Sequence, residues 1–143
     1  MLYYISVIII VASNIFYHLA SKKVPDQTNP FFFVMVSYVV GFVLASIAFT
    51  MTIQDKNITK AIVEQSKLIN WAPIVLGIAV IGLEVGNVLM YRAGWDISKG
   101  ALFCNTLLAI VLVVVGVFIV KEDFTSRHIV GLMCCAMGLY FLV

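Results

Sequence analysis

Long stretches without any charged residue decide the solvent in which this chain folds. Residues 2–20, 31–53 and 101–120 contain no Asp, Glu, Lys or Arg, and residues 72–91 contain one, Glu84. A helix of about 20 residues crosses a hydrocarbon core about 30 Å thick, so each stretch is long enough to span a bilayer. The last charge-free stretch, 129–143, has 15 residues and spans only if the turn from about residue 125 is included.

The chain is therefore predicted to be an all-α integral membrane protein, with one domain over residues 1–143. Five transmembrane helices, called spans 1 to 5 here, are expected at about residues 2–20, 31–53, 72–92, 98–120 and 125–143. The composition agrees, because 63% of the residues are hydrophobic and 11% charged, whereas soluble domains have about 45–50% and roughly 25%. A β-barrel would alternate apolar and polar residues, which residues 110–115 do not.

Several functional classes are excluded by the charges and motifs. The net charge is +2 and there is no basic run, so no nucleic-acid partner is expected. The three cysteines are odd in number and lie in apolar stretches, which does not indicate a disulfide framework or a zinc site. No catalytic constellation, phosphate loop or metal-ligand spacing is present, so we expect no enzyme activity, cofactor or metal.

The connectors carry turn and helix signals. Gly94 is suited to closing span 3, and Asp96 or Ser98 to capping span 4. The longest connector, 54–70, places Ile58, Ile62 and other apolar residues at near-helical spacing among charged ones. This pattern fits a short amphipathic helix on the membrane surface, and it fits a solvated loop as well.

The Lys and Arg residues are divided almost evenly between the two sides of the membrane. Five lie in the loops on the side of the N-terminus (Lys56, Lys60, Lys67, Lys121, Arg127) and four on the other side (Lys22, Lys23, Arg92, Lys99). An unequal distribution of Lys and Arg between the two sides normally fixes the orientation of a membrane protein. A chain in which the distribution is almost equal can insert both ways. Alternatively, a further cue, such as the distance of Lys60 from the membrane, fixes one orientation.

Three segments together resemble a transporter family. They are residues 82–98, GLEVGNVLMYRAGWDIS, residues 120–125, VKEDFT, and the pair Ser13-Asn14 with Lys22 to Pro25 after it. They are similar to the EamA-type branch of the drug/metabolite transporter superfamily. In that family the third helix ends in a Tyr-Arg-Ala-like turn and an acidic residue before Leu/Phe-Thr joins the last two helices.

The resemblance implies a fold and an assembly. Most relatives carry two five-helix units in opposite orientations, and this chain carries one, which implies one half of an inverted-repeat fold. We therefore expect a secondary transporter of a small organic metabolite or drug-like cation, proton-coupled and working as an antiparallel homodimer. Its expected place is the cytoplasmic (inner) membrane of a bacterium or archaeon.

Span 3 carries the chemistry that such a transporter needs. Glu84 lies near its middle, and Asn87 and Tyr91 fall on the same helical face. This face predicts a proton- and substrate-binding site. Alternatively, a protonated Glu84 has only a structural role, as a hydrogen bond to a neighbouring helix. The opposite face holds Gly82 and Gly86 at a spacing that permits close helix packing.

Other spans add candidates for the substrate cavity and for packing. Ser13, Asn14 and Tyr17 of span 1 and Asn105 of span 4 are predicted to line the cavity, although packing or capping explains such residues equally well. His18 is interpreted as an interfacial histidine. Gly41 belongs to a close-packing seam of small residues on span 2.

Two functional classes therefore stay open. One is the homodimeric transporter, or one half of a heterodimeric transporter whose other half is separately encoded. The other is a non-transporting scaffold or regulatory subunit of a larger complex, which would use the same helices without moving a solute.

Overall fold

Helices account for all regular structure in residues 2–53, 57–121 and 125–142, which the computed structural model describes. Lys56 and Glu122, two charged residues of predicted loops, lie outside these ranges. The helices are α1 Leu2–Lys22, α2 Pro30–Thr52, α3 Ile58–Ser66, α4 Ala72–Arg92, α5 Ile97–Val115 and α6 Ser126–Leu142, with a π-helical segment, Gly116–Val120, continuing α5. The prediction of an all-α protein is confirmed.

Four helices in these ranges are long and apolar enough to cross a membrane. They are Tyr3–Lys22, Pro30–Thr52, Ala72–Arg92 and Ile97–Val120, at the positions of spans 1 to 4. Span 5 corresponds to α6, an apolar helix of 17 residues, which is shorter than the others. A fifth crossing and the inverted repeat stay predictions.

Local signals explain where the helices begin and end. Asn29 caps α2, because its side-chain oxygen accepts the Phe31 N–H at 2.9 Å and Pro30 occupies the first helical position. Gly94 closes α4 with φ +95° and donates its N–H to the Tyr91 carbonyl at 3.1 Å. Asp96 stands at the start of α5, where its side chain makes no capping hydrogen bond.

The connector between α2 and α4 contains a helix. Asn57 caps α3 by accepting the Lys60 N–H at 3.3 Å, so the helical interpretation of this connector is the one that the structure supports. Its nine residues carry an apolar and a polar side. Its position on a membrane surface stays a prediction.

The internal contacts divide the chain into two compact units. The α1–α5–α6 unit contains α1, the turn between α4 and α5, and helices α5 and α6, and the α2–α4 unit contains α2, α3 and α4 as far as Leu89. Within the first unit, α5 packs against both α1 and α6.

Most large apolar side chains of the described residues are exposed. On α2, for example, Phe42 is 73% exposed and Met51 80%, whereas Val34 is buried. Apolar surface of this extent is costly in water, whereas lipid accepts it. These helices therefore present the surface of an integral membrane protein.

Candidate functional site

A groove between α1 and α5 brings polar side chains together within the α1–α5–α6 unit. Its volume is about 440 Å³, and it is lined by Val11, Asn14, Ile15, His18, Leu19, Ile97, Ser98, Ala101 and Asn105. The α1 residues follow each other at helical spacing along one face, and so do the α5 residues. Packing these two faces together places two amides, a hydroxyl and an imidazole around one apolar-walled space.

The amide of Asn14 is held by its own helix. Its Nδ2 atom donates to the Ile10 carbonyl at 3.0 Å. One donor of the side chain is therefore occupied, while the amide oxygen remains an acceptor for the groove.

Two long-range hydrogen bonds join the end of α1 to the last turn of α4 and to the connector between α4 and α5. His18 Nδ1 and Tyr91 Oη are 2.8 Å apart, and Lys22 Nζ donates to the Trp95 carbonyl at 2.7 Å. Lys22 Nζ also lies 5.6 Å from the centre of the Tyr91 ring, a cation–π geometry. Tyr91 is 6% exposed, so this cluster fixes one end of the groove.

Close packing behind the cluster positions the start of α5. The Trp95 and Phe103 rings lie 5.3 Å apart. A Cβ atom at Gly100 would come within 3.0 Å of Met90 Sδ and 3.3 Å of Trp95 Cβ, so a larger residue here would require these neighbours to shift.

The predicted site residues of α1, together with Tyr91 and Asn105, lie in or near the groove. Asn14 and Asn105 line the groove, and Tyr91 bonds to the groove residue His18. Ser13 and Tyr17 do not line it, although the Tyr17 ring packs 5.1 Å from the His18 ring.

Glu84 and Asn87 belong to the α2–α4 unit. Both are half-buried, and Asn87 Nδ2 donates to the Leu83 carbonyl at 2.8 Å. Along α4 they precede Tyr91 on the same helical face.

The glycines predicted to allow close helix packing have no close neighbour among the described residues. At Gly41, Gly82 and Gly86, no described atom lies within 4 Å of the position that a Cβ atom would take.

The sequence of the whole chain, residues 1–143, matches the EamA-like transporter family. The chain belongs to this family. The resemblance seen in residues 82–98 and 120–125 is confirmed, as is the assignment to the drug/metabolite transporter superfamily. Searches of curated proteins and of solved structures found no match.

Family membership establishes the general role. The EamA-like protein is an integral membrane protein of a transporter family, and this family is not one of enzymes. Within the described ranges, no three His, Cys, Asp or Glu residues come together as a metal site.

The sequence interpretation missed two residues that line grooves of the structure. His18 lines the groove although an interfacial role was expected, and its signal was its position four residues after Asn14. Tyr38 is the second: its hydroxyl is buried and makes no hydrogen bond among the described residues, and the side chain is within electrostatic range of Glu84.

Tyr38 belongs to a second, apolar groove of about 430 Å³ within the α2–α4 unit. Its lining is Phe31, Val34, Met35, Tyr38, Val39, Phe42 and Ile81. The α2 residues recur every three or four positions, a pattern that also occurs on lipid-facing helices.

Proposed function

We propose that this EamA-like protein is a secondary transporter that exchanges protons for a small organic metabolite or a drug-like cation. The observation that carries the proposal is the α1–α5 groove, which lies along two helices apolar enough to span a membrane. Polar groups inside a membrane are costly unless they face a cavity or a partner. A polar groove between two such helices therefore favours solute passage over a purely structural role.

Glu84 is proposed to bind the coupled proton. It lies 12 residues after the first residue of α4 and 8 before the last, where a charged carboxylate is costly in a bilayer. If proton and substrate both require this carboxylate, the binding of one opposes the binding of the other. Alternating access then converts proton entry into substrate movement in the opposite direction.

An antiparallel homodimer is proposed as the working assembly. The nearly even division of Lys and Arg between the two sides supports insertion in both orientations. The open surface at Gly82 and Gly86 supports a helix–helix contact with a second copy. Such a dimer supplies the second five-helix unit that two-unit relatives carry in one chain.

A substrate screen in proteoliposomes tests the transport proposal. With a proton gradient imposed, we expect at least one small organic solute to move against its own gradient. Glu84→Gln keeps the side-chain shape but cannot release a proton, so it should abolish gradient-driven flux. Glu64→Gln, which changes an exposed carboxylate of α3, is the control and should leave flux unchanged.

The two faces of α4 are tested by a second pair of variants. Asn87→Ala should lower flux and spare assembly, whereas Gly86→Leu should reduce dimer formation in cross-linking experiments. Full gradient-driven flux in Glu84→Gln would instead favour a purely structural role of Glu84, as a hydrogen bond between helices. A scaffold subunit would show no solute flux in any variant.

Reporters fused to the C-terminus test the orientation. We expect them on both sides of the membrane. A signal on one side alone, with cross-links between parallel copies, would remove the antiparallel dimer from the proposal.

A further inference from the structure

His18 connects the groove to the last turn of α4. Its ring lines the groove, while its Nδ1 atom lies 2.8 Å from Tyr91 Oη. If Tyr91 donates to Nδ1, the proton of the neutral ring is on Nε2, which becomes a donor for a molecule in the groove. The histidine then has one nitrogen fixed by the protein and one available to a ligand.

The charge of the lining restricts what the groove can accept. None of its nine lining residues is Asp, Glu, Lys or Arg. A charged ligand group would lose its hydration without gaining an opposite charge, which costs several kcal/mol. Groups that are neutral and form hydrogen bonds meet the amides, the hydroxyl and the imidazole without that cost.

We infer that the α1–α5 groove binds an uncharged molecule that carries hydrogen-bonding groups on an apolar body. Asn14, Ser98 and Asn105 bind its polar groups, His18 Nε2 donates to one of its acceptors, and Tyr91 acts as the positioning residue that orients His18. The volume of about 440 Å³ lies in the range of small-molecule pockets. The inference rests on the proposed function, whose substrate class it narrows from a small organic metabolite or a drug-like cation to a neutral metabolite.

The cationic neighbour of the cluster disfavours a cationic ligand. Lys22 Nζ lies 5.6 Å from the Tyr91 ring centre and bonds to the Trp95 carbonyl. The phenols of Tyr17 and Tyr91 are the titratable groups described against the His18 ring. No carboxylate among these neighbours or in the groove lining would compensate a cationic ligand.

Three probes of nearly equal shape test the charge class. Benzamide is neutral, benzamidinium is its cationic counterpart and benzoate its anionic one. The full chain in lipid nanodiscs is labelled with ¹⁵N at its histidine rings, and His128, outside the groove, serves as the internal reference. We expect benzamide to shift the His18 signals saturably and the two charged probes to bind at least about tenfold more weakly, which corresponds to about 1.4 kcal/mol.

Variants assign the binding to the groove. Asn105→Ala and Ser98→Ala each remove one hydrogen bond and should weaken benzamide binding by about two- to tenfold. Ser46→Ala, on α2, is the matched control and should leave binding unchanged, because the Ser46 hydroxyl bonds to the Phe42 carbonyl at 2.8 Å. Tyr91→Phe should shift the His18 Nδ1 resonance before any probe is added, which a role in packing alone would not do.

Several outcomes would overturn the inference. They are equal or tighter binding of benzamidinium or benzoate, no saturable effect of benzamide, and benzamide binding that both groove variants leave unchanged. Equilibrium binding is measured without a proton gradient, so this result is separate from flux. Benzamide binding as expected together with full gradient-driven flux in Glu84→Gln would remove Glu84 as the coupling site and keep the groove assignment.

Discussion

The two units of the molecule differ in where their polar side chains bond. In the α1–α5–α6 unit, His18 and Lys22 bond to Tyr91 and Trp95, in each case 73 residues away in sequence. On α2 the hydroxyl groups bond to carbonyls of the same helix, three or four residues earlier: Ser37, Ser46, Thr50 and Thr52. The first arrangement joins separate elements, and the second satisfies a helix by itself.

Side-chain hydrogen bonds that join separate elements can fix the position of a helix, whereas those within one helix cannot. In lipid, apolar contact alone gives little preference for one helix neighbour over another, so interhelical hydrogen bonds and close packing carry the specificity. The bonds of His18 and Lys22 fix the end of α1, whereas the hydroxyls of α2 specify no neighbour. We expect α2 to be placed mainly by lipid and by shape.

The largest expected effect is at a close contact of the first unit. Gly100→Val would push side-chain atoms toward Met90 and Trp95 and should lower the free energy of unfolding by about 1–3 kcal/mol. Gly77→Val, in the second unit, introduces a Cβ atom into open space and should cost much less. Unfolding in mixed detergent micelles, followed by circular dichroism, measures both. Equal costs would contradict tighter packing in the first unit.

Lys22 gives the next largest effect. Lys22→Gln removes the charged donor to the Trp95 carbonyl and should cost about 1.5 kcal/mol in the same unfolding assay. Lys23→Gln removes the same charge one residue later in the chain, from an exposed residue, so it should change stability by less than about 0.5 kcal/mol. If both variants behave alike, the Lys22 contact contributes nothing specific.

Two tyrosines compare a bonded hydroxyl with an unbonded one. Tyr91→Phe removes the bond to His18 and should cost about 1 kcal/mol. Tyr38→Phe removes a buried hydroxyl that has no hydrogen bond in the described chain, so stability should stay the same or rise. A cost at Tyr38 similar to that at Tyr91 would show that the Tyr38 hydroxyl has a stabilising partner after all.

The smallest effect is local to α3. Asn57→Ala removes the cap of this helix and should make the amides of Ile58–Ser66 exchange about twofold faster, equivalent to about 0.5 kcal/mol. Asn70→Ala is the control, because the Asn70 side chain accepts the Ala72 N–H at the start of α4. Its effect should appear in α4 and leave α3 unchanged.

The positions of the long helices could be predicted because charge-free length is a direct requirement of the bilayer. The polar residues Asn14 and Asn105 could be predicted as cavity residues, since polar groups in a span need a partner. The role of His18 could not, because helical spacing does not show that α1 ends beside Tyr91. Helical spacing also does not show that Ser13 and Tyr17 lie outside the groove, because the pattern of one helix does not tell which of its faces a neighbouring helix covers.

The π-helical segment after α5 has a consequence for how the chain tolerates changes in length. The 19 residues of α5 rise about 28 Å, nearly the thickness of a hydrocarbon core. The change to π geometry, where the Lys121 N–H bonds to the Gly116 carbonyl, therefore comes in the last turn of the apolar span Ile97–Val120. A residue inserted or deleted within Gly116–Val120 is expected to be absorbed there, at the end of α5 opposite the groove. Ile97, Ser98 and Asn105 would then keep their rotation about the helix axis, so a change in the length of this helix would leave the groove lining as it is.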